Sequence, residues 1–267
     1  MENKEKRVLF IGAGRMAQAM IEGLHNKEEF SILVTNNGNK ERLKFIQETY
    51  GVETTENWQN EMNNIDIIIL AMPPEVHKPI LNELAQLLDG QLVITVAAGI
   101  GPTFLEKHLG NKTPVAWAIP NTAAKLGESI TLYATGEFVS QEHVGWIERL
   151  ISGIGEFEKV TEQQVHELTA VTGSAPAFIY RVAEALEQIA VETGVTKDQA
   201  RKMVAQMIFG SAAMLKTNIE ANELVNQVAT PGGSTAAGLD VLEEKHLNQI
   251  IHLAIDACRN KAKVGTN

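Results

Sequence analysis

The chain has 267 residues, 44% of them hydrophobic and 21% charged, which is enough to bury one large core or two smaller ones. A formal charge of −10 argues against nucleic acid or an anionic membrane surface as the main partner. The single cysteine, Cys258, excludes an internal disulfide framework and a zinc cluster.

The opening residues, "MENKEKRVLF", are too charged for a signal peptide, and no apolar run is long enough to span a bilayer. A cytoplasmic protein is expected. Short apolar runs then predict buried parallel strands at Val8–Ile11, Ile32–Thr35, Ile65–Met72, Leu92–Val96 and Val115–Ile119. Helical periodicity fills the gaps at Met16–His25, Lys40–Tyr50 and Val76–Leu88. This alternation predicts an α/β doubly wound sheet with helices on both faces. Ser129–Thr135 and Glu156–Val160 are candidates to extend it.

After about residue 160 no further strand is expected. "TEQQ" at Thr161–Gln164 and "TKDQ" at Thr196–Gln199 have capping-box spacing, so each should open a helix. Between Gln199 and Lys216 apolar and small residues occupy nearly every helical face. Such a helix is either the centre of a second domain or buried by a partner subunit. A helical domain of roughly a hundred residues has little interior, so the partner is favoured. The expected organisation is therefore an α/β domain over residues 1–160 and an all-α domain over 161–267.

"VLFIGAGRMAQAMIEGL" places Gly12-x-Gly14-x-x-Ala17 directly after the first strand and at the opening of a helix. Gly12 permits the tight turn, Gly14 lets a pyrophosphate approach the backbone, and Ala17 keeps the helix near the strand. The context makes this a Rossmann-type dinucleotide fingerprint. At the end of the second strand, where an NAD enzyme usually has Asp or Glu, the chain has Asn36 and Asn37, with Lys40 and Arg42 close behind. A carboxylate would repel a 2′-phosphate, whereas amides and cations accept one, so NADP(H) is favoured with NAD(H) as the alternative. Lys40 and Arg42 are otherwise solvated residues of the next helix. "LAMPPE" (Leu70–Glu75), "VAAGI" (Val96–Ile100) and "AIPNT" (Ala118–Thr122) end strands where a nicotinamide crevice would lie. The seven histidines (His25, His77, His108, His143, His166, His246, His252) show no ligand spacing, so no metal is expected.

Near the end, "VATPGGSTAAGLDVLEE" (Val228–Glu244) sets Pro-Gly-Gly-Ser-Thr at the head of an amphipathic helix. That composition suits either an ordinary turn and N-cap or an anion-binding helix N-terminus.

Taken together, "FIGAGRMAQAM", "VAAGI", "IPNT", "LTAVTGSAPAFIY" (Leu168–Tyr180) and "VATPGGSTAAGLDVLE" resemble the pyrroline-5-carboxylate reductase family, in order along almost the whole chain. The resemblance implies a Rossmann domain, an all-α C-terminal dimerisation domain, a homodimer or higher homo-oligomer, and reduction of a cyclic imine by NAD(P)H in proline biosynthesis. It implies that Ile11, Gly12, Ala13, Gly14, Arg15 and Met16 meet the pyrophosphate and Asn36 the adenosine end, and that Asn57 contacts the cofactor. Ala71, Met72, Pro73 and Pro74, with Val96, Ala97 and Ala98, would line the nicotinamide side. Ser234 and Thr235 match the positions that hold the substrate. Pro73 stands where the family usually has lysine, Trp117, Ile119 and Ala123 depart from its R-x-M-P-N-T-P form, and Ala175 and Phe178 from G-S-G-P-A-Y.

With the resemblance, Gly232, Gly233, Ser234 and Thr235 become a carboxylate site, and Thr235 is the residue expected to hydrogen-bond the ring nitrogen. A cyclic imine can arrive protonated, so positioning matters more than a general acid. Two alternatives stand beside this reading. A 3-hydroxyacid dehydrogenase relative would need a lysine on the long helix, and Phe178–Glu192 contains none. A regulatory paralogue would explain Pro73 and Trp117 but not the intact "PGGST".

Overall fold

The computed structural model describes residues 5–110 and 112–264. Residues 1–4 and 265–267, where the expected domains and "MENKEKRVLF" begin or end, lie outside them. The apolar runs form strands β1 (Lys6–Ile11), β2 (Phe30–Thr35), β3 (Glu53–Thr54), β4 (Ile67–Leu70), β5 (Leu92–Thr95), β6 (Val115–Ile119), β7 (Ser129–Thr135) and β8 (Gly155–Lys159). They lie in one sheet in the order β3-β2-β1-β4-β5-β6-β7-β8. Every neighbouring pair is parallel except β6 and β7.

The helices that alternate with these strands are α1 (Arg15–Leu24), α2 (Lys40–Tyr50), α3 (His77–Leu84), α4 (Pro102–Leu109) and α5 (Gln141–Ile151). Successive strand residues point to opposite faces, so the inner strands feed two cores. On one face Val8, Phe10, Ile69 and Ile94 pack with Met20 and Leu24 of α1 and Ile147 and Leu150 of α5. On the other, Leu9, Ile11, Ile68 and Leu70 pack with Leu81 and Leu84 of α3 and Leu105 of α4. Burial on both sides is why these strands read as unbroken apolar runs.

Then follow α6 (Glu162–Thr169), α7 (Ala175–Glu192), α8 (Lys197–Leu215), α9 (Ala221–Val228), α10 (Ser234–Glu244) and α11 (Leu247–Val264). A π-helical turn, Ala170–Ser174, separates α6 from α7. Both capping boxes form: Thr161 with Gln164 opens α6, and Thr196 with Gln199 opens α8.

The chain divides into two compact units, one running to Gly173 and taking back the residues from Arg259, the other Ser174–Cys258. The strands stop at Lys159, next to the expected boundary at 160, yet α6 stays with the sheet unit. The reason is burial of Val165 against Trp117, Ile119 and Leu132.

The elements differ from expectation in places. The strand expected over Ile65–Met72 is confined to Ile67–Leu70, because Ile65 closes a 3-10 turn and the chain leaves the ladder at Ala71. The helix expected over Val76–Leu88 is a 3-10 turn, Pro74–Val76, followed by α3 ending at Leu84. Helices α4 and α5 and the short β3 have no counterpart in the sequence reading.

In the second unit the single chain leaves large apolar side chains open: Phe209 is 70% exposed and Leu253 62%. Among the described residues, only Ala200, Val204 and Ile255 of this unit are buried hydrophobics.

Candidate functional site

The strand order reverses between β1 and β4, so the chains leaving them diverge and open a crevice at the sheet's carboxyl edge. Gly12 makes the turn. Its φ is +117°, and a Cβ there would stand 2.4 Å from the Ala71 carbonyl oxygen. The Gly12 N–H donates to the Thr35 carbonyl at 2.9 Å and the Ala71 N–H to the Ile11 carbonyl at 2.9 Å, which fixes three strand ends together. Gly14 is the N-cap of α1, with extended backbone and no side-chain cap. A Cβ at Gly14 would meet nothing within 4 Å. An uncapped first turn facing an open approach suits a pyrophosphate.

The crevice, of about 390 Å³, is lined by Ile11, Gly12, Asn36, Asn37 and Met72, five of the residues expected from sequence. Its other walls include Glu56, Trp58 and Ile80. Ala13 and Met16 pack toward the core, and Arg15 is exposed. Asn57 does not line the crevice; it is exposed and precedes the 3-10 turn Trp58–Asn64.

At the end of β2 the Asn36 side chain is already engaged. Its Nδ2 donates to the Asn39 carbonyl at 2.8 Å, and its Oδ1 accepts from the Asn39 N–H at 2.9 Å. Asn39 Oδ1 in turn caps α2 through the Arg42 N–H. Lys40 pairs with Glu56 at 2.8 Å, both largely exposed. Sequence reasoning named that cation but missed the carboxylate, since Glu56 arrives from the segment after β3, beyond any local pattern.

Pro74 and Ala98 line a separate cavity of about 430 Å³ with Glu75, Trp117, His166 and Arg259, all within the sheet unit. The Trp117 indole N–H donates to the Ala97 carbonyl at 2.8 Å, and the His166 ring lies 4.6 Å from the Trp117 ring. Val96 follows β5, its N–H donating to the Leu70 carbonyl at 3.1 Å. Pro73 precedes the turn into α3. Asn121 of the "IPNT" segment donates to the Thr172 carbonyl at 3.2 Å, inside the π-helical turn.

Gly232, Gly233, Ser234 and Thr235 belong to the helical unit. Gly232 has φ +75°, and a Cβ on Gly233 would stand 2.7 Å from Thr230 Oγ1. Gly233 is the N-cap of α10 and no side chain caps that helix, so the hydroxyls of Ser234 and Thr235 sit one and two residues inside it. A turn with a glycine N-cap precedes the helix, and neither hydroxyl serves as its cap.

Among the described residues no cluster of three or more His, Cys, Asp or Glu is placed to hold a metal ion. No described helix is long and apolar enough to cross a membrane.

Comparison with known proteins adds to this geometry. Residues 7–99 match the family model described as NADP oxidoreductase coenzyme F420-dependent, and residues 162–264 match pyrroline-5-carboxylate reductase dimerisation. The pyrroline-5-carboxylate reductase 1 of Bacillus spizizenii is 34% identical over 264 residues, spanning 97% of this chain and 89% of that protein. A pyrroline-5-carboxylate reductase structure from Coxiella burnetii is similar at TM-score 0.91 with 31% identity, covering 99% of this chain and 100% of that one. The 1-pyrroline-5-carboxylate reductase of Streptococcus pyogenes gives a TM-score of 0.88 with 30% identity, covering 98% and 100%.

Proposed function

The chain belongs to the pyrroline-5-carboxylate reductase family, and from that premise we propose that it reduces 1-pyrroline-5-carboxylate to proline with NADPH as preferred reductant. Residues 1–160 serve the dinucleotide, and 161–267 the substrate and the dimer. The observation that carries the substrate assignment is the N-terminus of α10, which has no side-chain cap and a Gly-Gly approach in which Gly232 takes φ +75° and Gly233 lies against Thr230. Its free N–H groups and the Ser234 and Thr235 hydroxyls suit the imine's carboxylate. Thr235 also holds the ring nitrogen, so the imine carbon is presented in one orientation. Ile11 to Met16 hold the pyrophosphate, Asn36 and Asn37 the adenosine end, and Ala71 to Pro74 with Val96 to Ala98 the nicotinamide end. When bound, the dinucleotide supplies the hydride that the imine carbon accepts. The test is loss of NADPH absorbance on adding pyrroline-5-carboxylate; a purified, folded chain that leaves NADPH unoxidised overturns the reading.

NADPH should bind more tightly than NADH. Asn36→Asp probes this: one carboxylate oxygen can still accept the Asn39 N–H, while the donation to the Asn39 carbonyl is lost, so a thermal melt is run beside the binding titration. One charge pair at 4 Å in water is worth about 1 kcal/mol. Against a doubly charged 2′-phosphate the variant should therefore narrow the preference by roughly five- to thirtyfold. Glu56→Gln should move it the other way, since it removes a carboxylate from the crevice wall. Equal dissociation constants for the two cofactors in the unaltered protein would sink the assignment.

The dimerisation-family match supports homo-oligomerisation. We place the contact on α8 and its neighbours, where Met203, Phe209 and Leu215 are 51%, 70% and 59% exposed in the single chain. That apolar exposure is too large for a helix meant to face water. Light scattering at micromolar concentration should show a dimer or a larger assembly, and a stable monomer would refute the placement.

A further inference from the structure

We propose that His77 is a positioning residue for hydride transfer: one buried imidazole ties the Pro73 loop to the end of β5, from which the Ala97–Ala98 loop departs. The proposal rests on the reading that these two loops hold the nicotinamide end of the cofactor. His77 and Thr95 are both fully buried. Nδ1 of His77 lies 3.1 Å from the Pro73 carbonyl oxygen, and Nε2 lies 3.0 Å from Thr95 Oγ1. Thr95 Oγ1 in turn accepts the Ala97 N–H at 3.2 Å.

The proton positions follow from the partners. A carbonyl only accepts, so Nδ1 carries the hydrogen and Nε2 keeps its lone pair. The Thr95 hydroxyl then donates to Nε2 and uses its own lone pair for the Ala97 N–H. Every donor has an acceptor, and the ring is neutral. Burial pushes the imidazole pKa down, in agreement with this assignment, while the Pro73 carbonyl pulls it the other way.

A position needed only for packing between α3 and β5 would be filled as well by leucine, with no polar partners to satisfy. Instead the relay crosses from Pro73 to Ala97, while the Trp117 indole holds the Ala97 carbonyl from the far side. Ala97 is thus fixed at both its polar atoms. A fully bonded buried network of this kind holds loops to a single arrangement, and a misplacement of about 1 Å near a reacting centre can cost roughly a hundredfold in rate.

The experiment compares His77→Leu, His77→Gln and Thr95→Val. Binding is measured for NADPH and for 2′-phospho-ADP-ribose, which lacks the nicotinamide; kcat is measured with pyrroline-5-carboxylate. His77→Leu should lose about tenfold or more in kcat and in NADPH affinity, with affinity for the fragment unchanged. His77→Gln, which can both donate and accept, should recover most of that loss, and Thr95→Val should reproduce it. A folded His77→Leu with a lower Tm but unaltered kcat and unaltered NADPH-to-fragment ratio overturns the proposal. Should His77→Leu fail to fold, an unaltered ratio in Thr95→Val overturns it equally. The ratio is read without imine, so a failed reductase assay strikes the proposed substrate and leaves the His77 result to be judged separately.

Discussion

Thr235→Ala is expected to lower kcat/KM for the imine by roughly ten- to more than a hundredfold, with NADPH affinity nearly unchanged. The size follows from one hydrogen bond to a charged group, about 1.5–3 kcal/mol. A capping residue would behave differently: its loss would cost about 1 kcal/mol of stability and little rate. Here the N-cap of α10 is Gly233, and no side chain caps the helix. Thr235 is exposed and lies inside the first turn, so its hydroxyl has no capping bond to lose. Melting temperature should therefore stay within a degree or two of the unaltered protein, on the order of the change expected for an ordinary surface substitution. Thr235→Ser keeps the hydroxyl and should recover most of the activity. Earlier melting with unaltered imine kinetics would mean that the stretch only starts a helix.

Two alanine substitutions two residues apart should fail in opposite ways. Gly12→Ala is expected to damage the fold. The residue has φ +117°, and the new Cβ would press on the Ala71 carbonyl at 2.4 Å, between β1 and β4 at the centre of the sheet. Left-handed backbone alone costs an L-residue on the order of 1–3 kcal/mol, and the clash with backbone adds to it. A Tm drop of at least several degrees is the expected readout. Gly14→Ala should leave Tm nearly unchanged, because φ is −74° and nothing lies within 4 Å of the added methyl. It should nevertheless weaken NADPH binding at least about tenfold, since the methyl occupies the approach of the pyrophosphate to the backbone. Titration of NADPH fluorescence beside a thermal melt separates the two. A Gly14→Ala protein that binds NADPH as tightly as the unaltered chain would remove the pyrophosphate from this turn.

What the sequence determined by itself is whatever depends on contacts a few residues apart. β6 was legible to the residue, and β1, β2 and β5 nearly so, because strands buried on both faces leave largely apolar runs; β7, which carries Ser129, Thr131 and Thr135, was a candidate only, though with the bounds it takes. The same holds for the Gly12-x-Gly14 turn before α1 and for the capping boxes of α6 and α8, whose donors and acceptors lie three residues apart. The Pro-Gly-Gly-Ser-Thr stretch announced a helix start. Only the folded helix showed that glycine, not a hydroxyl, occupies its N-cap. Tertiary structure decided the rest. Helices α4 and α5 are a different case, since both carry local signals that the sequence reading passed over: Pro102 in the first turn of α4, and on α5 a Ser140–His143 capping box with Val144, Ile147, Leu150 and Ile151 on one face. Glu56 reaches the crevice from a segment whose β3 is only two residues long. His77 read as one scattered histidine among seven. Its role is visible only once α3 brings its ring between Pro73 and Thr95, 18 residues away in sequence, because a hydrogen bond between distant segments leaves no period to read.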